Sequence, residues 1–325
     1  MTSFPYSPAT PLRLGTRGSK MALIQANMVK DRLAAAHPFL AEEGAIEIVV
    51  VTTTGDAVRD RRLSTVGGKG MFIKELEIAL EDNLIDAAIH SMKDVPSWLE
   101  DQYDISAILE RAEPWDVFIS NKAASLHDLP QGAVLGTSSP RREALTLAQR
   151  PDLKVVLFRG NADTRLEKMA RGEVDATYLS LSGLQRIDRL DPSFVIMDAD
   201  TMLPAAGQGA IGIEIMTANT VLHDILQAVN HTPSFRAVMA ERACLAVLDG
   251  SCHSPLAAYA TLNDAGTEIT LTALAARYDG SEVIRQIDTA QAEDFAALGA
   301  KIGQSIKDRL PNGFFDSPYD QECVS

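Results

Sequence analysis

Four short segments combine glycine and small polar residues with lysine or arginine. They are GTRGSK from Gly15, VGGKGMF from Val66, GTSSPRR from Gly136 and RGNADTR from Arg159. Each follows an apolar run or precedes a helical pattern, so free backbone N–H groups and cationic side chains would lie together. That combination binds anions. An ordinary helix cap also explains any one segment alone. In GTSSPRR, for example, Ser139 as the cap and Pro140 as the first helical residue need no ligand.

Two adjacent arginines make the GTSSPRR segment more specific than the others. Arg141 and Arg142 would lie in the first turn of a helix, where the helix macrodipole disfavours cations. An external anion would remove that conflict. Four such segments, all expected at the carboxyl ends of parallel strands, favour one ligand that carries several negative charges. The sequence therefore predicts a cleft that binds a multiply charged anion.

The segment HSMKDVP, from His90, adds a group for proton transfer. A strand pattern ends here in polar residues, and Pro96 prevents easy continuation of regular structure. A Lys-Asp dipeptide is commonly a solvated surface pair. At the end of a strand that borders an anion cleft, however, Asp94 is a candidate general acid and base.

Cys252, in DGSCHSPLAAYA, is open to three interpretations. A zinc site is disfavoured because no second Cys or His lies at ligand spacing, and no metal is predicted elsewhere. A buried core cysteine and a point of covalent attachment both remain open. Cys244 is expected in the core and Cys323 on a polar tail, so the three cysteines do not predict a disulfide framework.

Composition excludes several classes of protein. The chain has 325 residues, 46% of them hydrophobic, and a formal net charge of -14, which makes nucleic acid a poor partner. No apolar run reaches the roughly 18 residues needed to span a bilayer, so no membrane partner is expected. The first residues lack the basic-then-apolar order of a signal peptide, which predicts a cytoplasmic protein.

The pattern along the chain predicts the elements that must position these residues. Apolar periodicity predicts helices over residues 20–36 and 72–83 and strands over ATYLS from Ala176 and LAAYATL from Leu256. Strands and helices alternate, which indicates βαβ units and a largely parallel sheet. The alternation restarts near Pro114 and again near Pro130, so two α/β domains of similar size are the simplest account. From Thr232 a long helix, two alternating segments and a last helix indicate a small α+β domain. No residue-level repeat is present, so any duplication would be architectural.

The ordered segments together resemble the porphobilinogen deaminase family over nearly the whole chain. The matching stretches are TRGSKMALIQ, VGGKGMFIKELE, HSMKDVP, GTSSPRR, RGNADTRLEK, LPAAGQGAIGIE and the SCHSP cysteine loop. The resemblance implies an α/β fold with two periplasmic-binding-protein-like (type II) α/β domains plus a C-terminal α+β domain. Domain 1 would comprise residues 1–112 and 208–230, domain 2 residues 113–207, and domain 3 residues 231–325. A monomer is also implied.

The same resemblance implies an enzyme and its cofactor. Cys252 would carry a dipyrromethane cofactor through a thioether. The enzyme would condense four porphobilinogen units head to tail onto this primer with loss of ammonia. It would then release the linear tetrapyrrole hydroxymethylbilane by hydrolysis. The carboxylates of porphobilinogen and of the growing polypyrrole would be the anions that the basic segments bind.

Residue roles follow from the resemblance position by position. Asp94 would be catalytic. The cofactor-binding residues would be Cys252, Lys93, Asp94, Thr137, Ser138, Ser139, Arg141, Arg142 and Gly160. The substrate-binding residues would be Arg17, Ser19, Lys69, Arg159, Asn161, Arg165, Arg186 and Gln208. The alternative is a non-catalytic anion-binding protein or an inactive homologue on the same fold, and a binding protein would need neither Asp94 nor Cys252.

Overall fold

A computed structural model describes residues 5–52, 73–248 and 254–316. The chain divides into two compact units. Of the described residues, the first unit contains residues 5–52, 73–111 and 210–235, and the second contains the remainder. The first unit is thus built from segments that are far apart in sequence.

The described residues form three sheets and their flanking helices. The strands are β1 (Leu12–Arg17), β2 (Ile46–Val51), β3 (Ala87–Ser91), β4 (Tyr103–Ile108), β5 (Asp116–Ser120), β6 (Val134–Thr137), β7 (Lys154–Leu157), β8 (Ala176–Ser180), β9 (Val195–Ile196), β10 (Ile211–Met216), β11 (Leu256–Leu262), β12 (Glu268–Ala276) and β13 (Val283–Gln291). The helices are α1 (Lys20–Ala36), α2 (Lys74–Glu81), α3 (Pro140–Gln149), α4 (Ala162–Ala170), α5 (Leu181–Arg186), α6 (Thr220–Leu226), α7 (Thr232–Val247) and α8 (Phe295–Lys307).

The first unit is built on a five-stranded sheet in the order β2-β1-β3-β10-β4. β1 runs parallel to β2 and β3, whereas β10 runs antiparallel to both of its neighbours. Leu14, Ile89 and Ile213 are buried against Val29 and Leu33 of α1, because alternate strand residues point to the same face. The carboxyl ends of β1, β2 and β3 therefore meet at one side of the sheet.

The second sheet repeats this arrangement with different residues. Its order is β7-β6-β8-β5-β9, so three parallel strands are again followed by an antiparallel one. Phe118, Leu135 and Tyr178 are buried in its core. The duplication is architectural, without a residue-level repeat.

The third sheet is antiparallel, in the order β11-β12-β13, and packs with α7 and α8 around a common core. A Cβ atom on Gly303 of α8 would lie 2.6 Å from the carbonyl oxygen of Cys244, so glycine allows the two helices to approach closely. The sequence indicates two alternating segments here, and the structure adds β13 as a third strand. On β13 the apolar residues Val283 and Ile287 lie on the exposed face, so the sequence of this strand does not alternate clearly between apolar and polar residues.

The mixed α/β class predicted from the sequence is confirmed, as are α1, β8 and β11 with their bounds. The expected helix over residues 72–83 is shorter, Lys74–Glu81. The division into three domains with the boundaries given above stays a prediction. Among the residues that the structure describes, no helix has the length and apolar character needed to cross a membrane.

Candidate active site

One set of the predicted residues lies at the carboxyl ends of β1 and β3 in the first unit. Arg17 is the last residue of β1, and Ser19 caps α1 by accepting a hydrogen bond from the Ala22 N–H at 3.2 Å. Lys93 and Asp94 lie in a single 3-10 turn, Met92–Asp94, directly after β3. Because β1 and β3 are parallel, the structure brings these four residues to one side of the sheet.

The turn that carries Asp94 is fixed from beneath while Asp94 itself is exposed. Met92 is only 2% exposed. Its N–H donates to the Ala210 carbonyl at 3.0 Å, and its carbonyl accepts from the Val95 N–H at 3.2 Å. A Cβ atom on Gly212 would collide with the Met92 sulfur, so this glycine leaves room for the buried side chain. Asp94 is therefore a solvent-accessible carboxylate on a turn that hydrogen bonds and the buried Met92 side chain hold in place.

The other set lies in the second unit, in loops that follow β6 and β7. Ser139 caps α3 by accepting from the Arg142 N–H at 3.4 Å. Asn161 caps α4 by accepting from the Thr164 N–H at 2.8 Å. The helix-cap interpretation is thus confirmed for these loops. Each cap satisfies one of the N–H groups that a helix start leaves without an intrahelical partner.

The arginine pair of α3 has an anion inside the protein. Arg141 Nη2 lies 2.7 Å from Asp116 Oδ2, and Arg142 Nη2 lies 2.6 Å from Asp116 Oδ1. The Asp116 side chain is fully buried at the start of β5. The sequence pattern predicts that two cations in a first helical turn require an external anion. That prediction is wrong, because the chain supplies the counter-charge itself.

Further hydrogen bonds hold this cluster. Arg141 Nη1 donates to the Leu203 carbonyl at 2.7 Å, and Arg142 Nη1 donates to the Tyr178 carbonyl at 2.9 Å. Gln208 Nε2 donates to Asp116 Oδ1 at 3.0 Å. The predicted residue Gln208 thus reaches the cluster through Asp116. Sequence reasoning missed Asp116, since one aspartate before the apolar run VFIS carries no motif.

Charge in the second unit favours an added anion. Burial would raise the pKa of Asp116, but Arg141 and Arg142 lower it by more, so the carboxyl titrates well below its usual range. The pKa of Arg165 is lowered to about 10 by burial first and then by repulsion from Arg142 and Arg159. The buried Asp116 carboxylate therefore faces the guanidinium groups of Arg141 and Arg142, and Arg165 adds a further positive charge near Arg142.

Other predicted residues lie at the end of β6, at the start of α4 and in the loops beside them. Thr137 ends β6, and its hydroxyl accepts from the Ser139 N–H at 3.1 Å. Arg165 Nη2 donates to Ser138 Oγ at 3.1 Å. Gly160 has a φ of 125°, and a Cβ atom there would lie 2.8 Å from the Thr164 side chain. Only glycine fits that position without strain.

The predicted covalent site lies outside the described residues. Cys252, Lys69 and Cys323 all fall in segments that the structure does not describe. Cys244 is buried on α7, where burial first and Glu241 second raise the pKa of its thiol to about 12, so it is a poor nucleophile. In residues 5–52, 73–248 and 254–316, no cluster of three metal-ligating side chains is present.

Comparison with known proteins decides the family. The family model described as "Porphobilinogen deaminase, dipyromethane cofactor binding domain" matches residues 12–224, and that described as "Porphobilinogen deaminase, C-terminal domain" matches residues 235–308. The chain belongs to the porphobilinogen deaminase family. Members of this family are transferases.

Relatives named porphobilinogen deaminase match along nearly the whole chain. That of Paracoccus denitrificans is 45% identical over 316 residues, which is 97% of this chain and 99% of the relative. The chloroplastic protein of Oryza sativa subsp. japonica is 44% identical over 308 residues, 94% of this chain and 86% of the relative.

Solved structures of lower similarity include a Salmonella typhimurium periplasmic binding protein with high arginine specificity. It is 16% identical and covers 67% of this chain and 91% of its own, with a TM-score of 0.37. The BvgS VFT2 domain of Bordetella pertussis is also 16% identical, covering 67% of this chain and 86% of its own with a TM-score of 0.39. The assignment to the porphobilinogen deaminase family rests on the sequence relatives.

The described residues of this porphobilinogen deaminase family member fit a dipyrromethane, whose pyrroles carry acetate and propionate groups. The Nε atoms of Arg142, Arg165 and Arg186 are buried and have no hydrogen-bond partner among the residues that the structure describes. A buried donor left unsatisfied costs roughly 1–3 kcal/mol, which a carboxylate oxygen would offset. The donor set is therefore suited to a ligand rich in carboxylates.

Proposed function

We propose that this protein is a hydroxymethylbilane synthase. It joins four porphobilinogen units head to tail on a dipyrromethane held by Cys252 through a thioether, and then releases the linear tetrapyrrole by hydrolysis. The observation that carries the proposal is a set of three buried donors, the Nε atoms of Arg142, Arg165 and Arg186, which have no hydrogen-bond partner among the described residues. They lie in a chain of the porphobilinogen deaminase family. Each unit of the ligand brings two carboxylates for such donors.

The basic residues bind and orient in this proposal. In the second unit Arg141, Arg142 and Arg165 hold carboxylates, with Thr137, Ser138, Ser139 and the backbone at Gly160 as further donors. Arg159, Asn161, Arg186 and Gln208 extend this set. In the first unit Arg17, Ser19 and Lys93 bind carboxylates of the substrate and the cofactor. Lys69, which lies outside the described residues, has the same proposed role. When bound, the dipyrromethane supplies the unsubstituted pyrrole carbon to which the first substrate unit is joined.

Asp94 moves the protons of each condensation. In porphobilinogen the bond between the methylene carbon and the amino nitrogen breaks, and the Asp94 carboxyl group gives the leaving amine its proton. The resulting carboxylate stabilises the positive charge left on the substrate pyrrole. After the new carbon–carbon bond forms, the ring carbon loses its proton, which returns to Asp94. One exposed carboxylate on a fixed turn serves all three steps.

A non-catalytic anion-binding protein is the rival proposal. Its arginine loops would be retained, but Asp94 and Cys252 would have no role. A cytoplasmic location and a monomeric state stay predictions, drawn from the sequence and the family resemblance.

Covalent loading is tested by the intact mass of the denatured, purified protein. We expect the wild-type chain to exceed its calculated mass by two linked pyrrole units, because the Cys252 thiol forms the thioether. Cys252→Ser is expected to show the calculated mass of its own sequence. Cys323→Ser is the matched control and is expected to keep the adduct.

An unmodified wild-type chain that also gains no adduct during incubation with porphobilinogen would exclude the thioether. An adduct that persists in Cys252→Ser would place the attachment on another residue.

A further inference from the structure

Two polar pairs flank the end of β3, where the turn with Asp94 begins. His90 Nε2 lies 2.7 Å from Glu214 Oε2, with the side chains 4% and 0% exposed. Ser91 Oγ lies 2.7 Å from Gln25 Nε2 and 3.0 Å from Gln25 Oε1. Since successive strand residues point to opposite faces, the pairs lie on the two faces of the first sheet.

Each pair ties β3 to a different element. Glu214 lies on β10, which pairs antiparallel with β3 and places Gly212 opposite His90. Gln25 lies on α1 and is 3% exposed. The end of β3 is therefore joined to the neighbouring strand β10 through His90–Glu214 and to helix α1 through Ser91–Gln25.

Stability alone is a weak reason for these pairs. An apolar pair of similar volume would serve the core at least as well, because buried polar groups lose their hydration. The second oxygen of Glu214, Oε1, is buried and has no hydrogen-bond partner among the described residues. What a directional hydrogen bond adds is a defined geometry, here for the two residues before Met92.

We propose that His90, Glu214, Gln25 and Ser91 are positioning residues for Asp94, and that their two pairs fix the carboxyl end of β3 and the turn that follows it. The inference rests on the proposed function for its catalytic part. Asp94 must approach the reacting proton within hydrogen-bond distance, and a displacement of about 1 Å can cost a hundredfold in rate. Asp94 is exposed, so its position depends on the turn beneath it.

Double variants test the inference without leaving a buried charge unpaired. His90→Phe with Glu214→Met removes one pair, and Gln25→Leu with Ser91→Ala removes the other. We expect both proteins to fold with melting temperatures near that of the parent. Amide hydrogen exchange at Met92 and Val95 should accelerate about tenfold, and kcat should fall about tenfold at unchanged KM.

Two further proteins serve as controls. Ser106 lies on β4 of the same sheet, and Ser106→Ala removes its 2.9 Å hydrogen bond to His223 of α6. It should leave exchange at Met92 and Val95 and kcat unchanged. The conservative variant His90→Gln with Glu214→Gln replaces one directional pair by another and should recover most of the lost rate.

The two readouts separate this inference from the proposed function. Exchange at Met92 and Val95 that equals the parent's in both double variants overturns the inference that the two pairs fix the turn, at any rate of turnover. Faster exchange with parental kcat overturns the link to Asp94. If the parent does not consume porphobilinogen, the proposed function fails, and exchange still decides whether the pairs hold the turn. Should one double variant not fold, the other measures the same turn.

Discussion

Replacement of Asp94 by asparagine is expected to lower kcat by at least about a hundredfold and to leave the fold and the adduct on Cys252 in place. Asparagine has the size of aspartate, and the turn Met92–Asp94 is held by backbone hydrogen bonds that do not involve the carboxylate. The amide, however, cannot give a proton to the leaving amine or take one from the pyrrole. A steady-state assay of porphobilinogen consumption measures the loss.

Asp31→Asn is the matched control for this experiment. Asp31 is an exposed carboxylate on α1 of the same unit, and its replacement removes the same charge away from the turn. We expect parental kcat and KM for this variant. Near-parental turnover in Asp94→Asn would remove Asp94 from the mechanism, and an equal loss in both variants would reduce its role to net charge.

Replacement of Asp116 by asparagine is expected to lower the free energy of unfolding by about 3 kcal/mol at neutral pH. The carboxylate is fully buried and pairs with Arg141 and Arg142 at 2.7 and 2.6 Å. A neutral amide leaves two buried guanidinium groups without their counter-charge. Chemical denaturation of parent and variant measures the difference.

The same residue shapes the acid side of the stability curve. Because the pKa of Asp116 is lowered in the folded protein, its contribution is complete above the unfolded value of about 4 and is lost as pH falls toward the folded pKa. The parent should therefore lose more stability than Asp116→Asn between about pH 4 and pH 2.

Asp152→Asn provides the comparison for Asp116. Asp152 pairs with Arg150 at 2.7 Å, but both side chains are partly solvated, at 28% and 15% exposure. Water replaces much of that interaction, so we expect a clearly smaller loss than for Asp116→Asn. Equal losses of unfolding free energy in Asp116→Asn and Asp152→Asn would contradict a buried counter-charge. So would the same decrease in stability between about pH 4 and pH 2 for the parent and Asp116→Asn.

Local signals in the sequence predict the elements well. The helix predicted over residues 20–36 has the bounds of α1, and the strand ATYLS coincides with β8. Such signals depend on neighbouring residues alone. Strand order does not: β10 enters the first sheet from residues 211–216, and periodicity cannot show which strands pair.

Some residues of the site are also predicted by local signals, whereas others depend on partners far away in the sequence. Glycine and hydroxyl residues with nearby cations marked the loops around Ser139 and Asn161, which the structure places at helix starts. The counter-charge Asp116 and the pair His90–Glu214 carry no such mark, because their partners are 26 and 124 residues away, respectively. Long-range partners decide which cations are already neutralised, so sequence alone overstated the need for an external anion.

Incubation of the purified protein with porphobilinogen, with ammonia and the linear tetrapyrrole quantified together, tests the central claim most directly. We predict four ammonia molecules for each hydroxymethylbilane released, at a steady rate over many turnovers. Porphobilinogen that binds but yields neither ammonia nor tetrapyrrole would contradict the claim and leave a non-catalytic anion-binding protein.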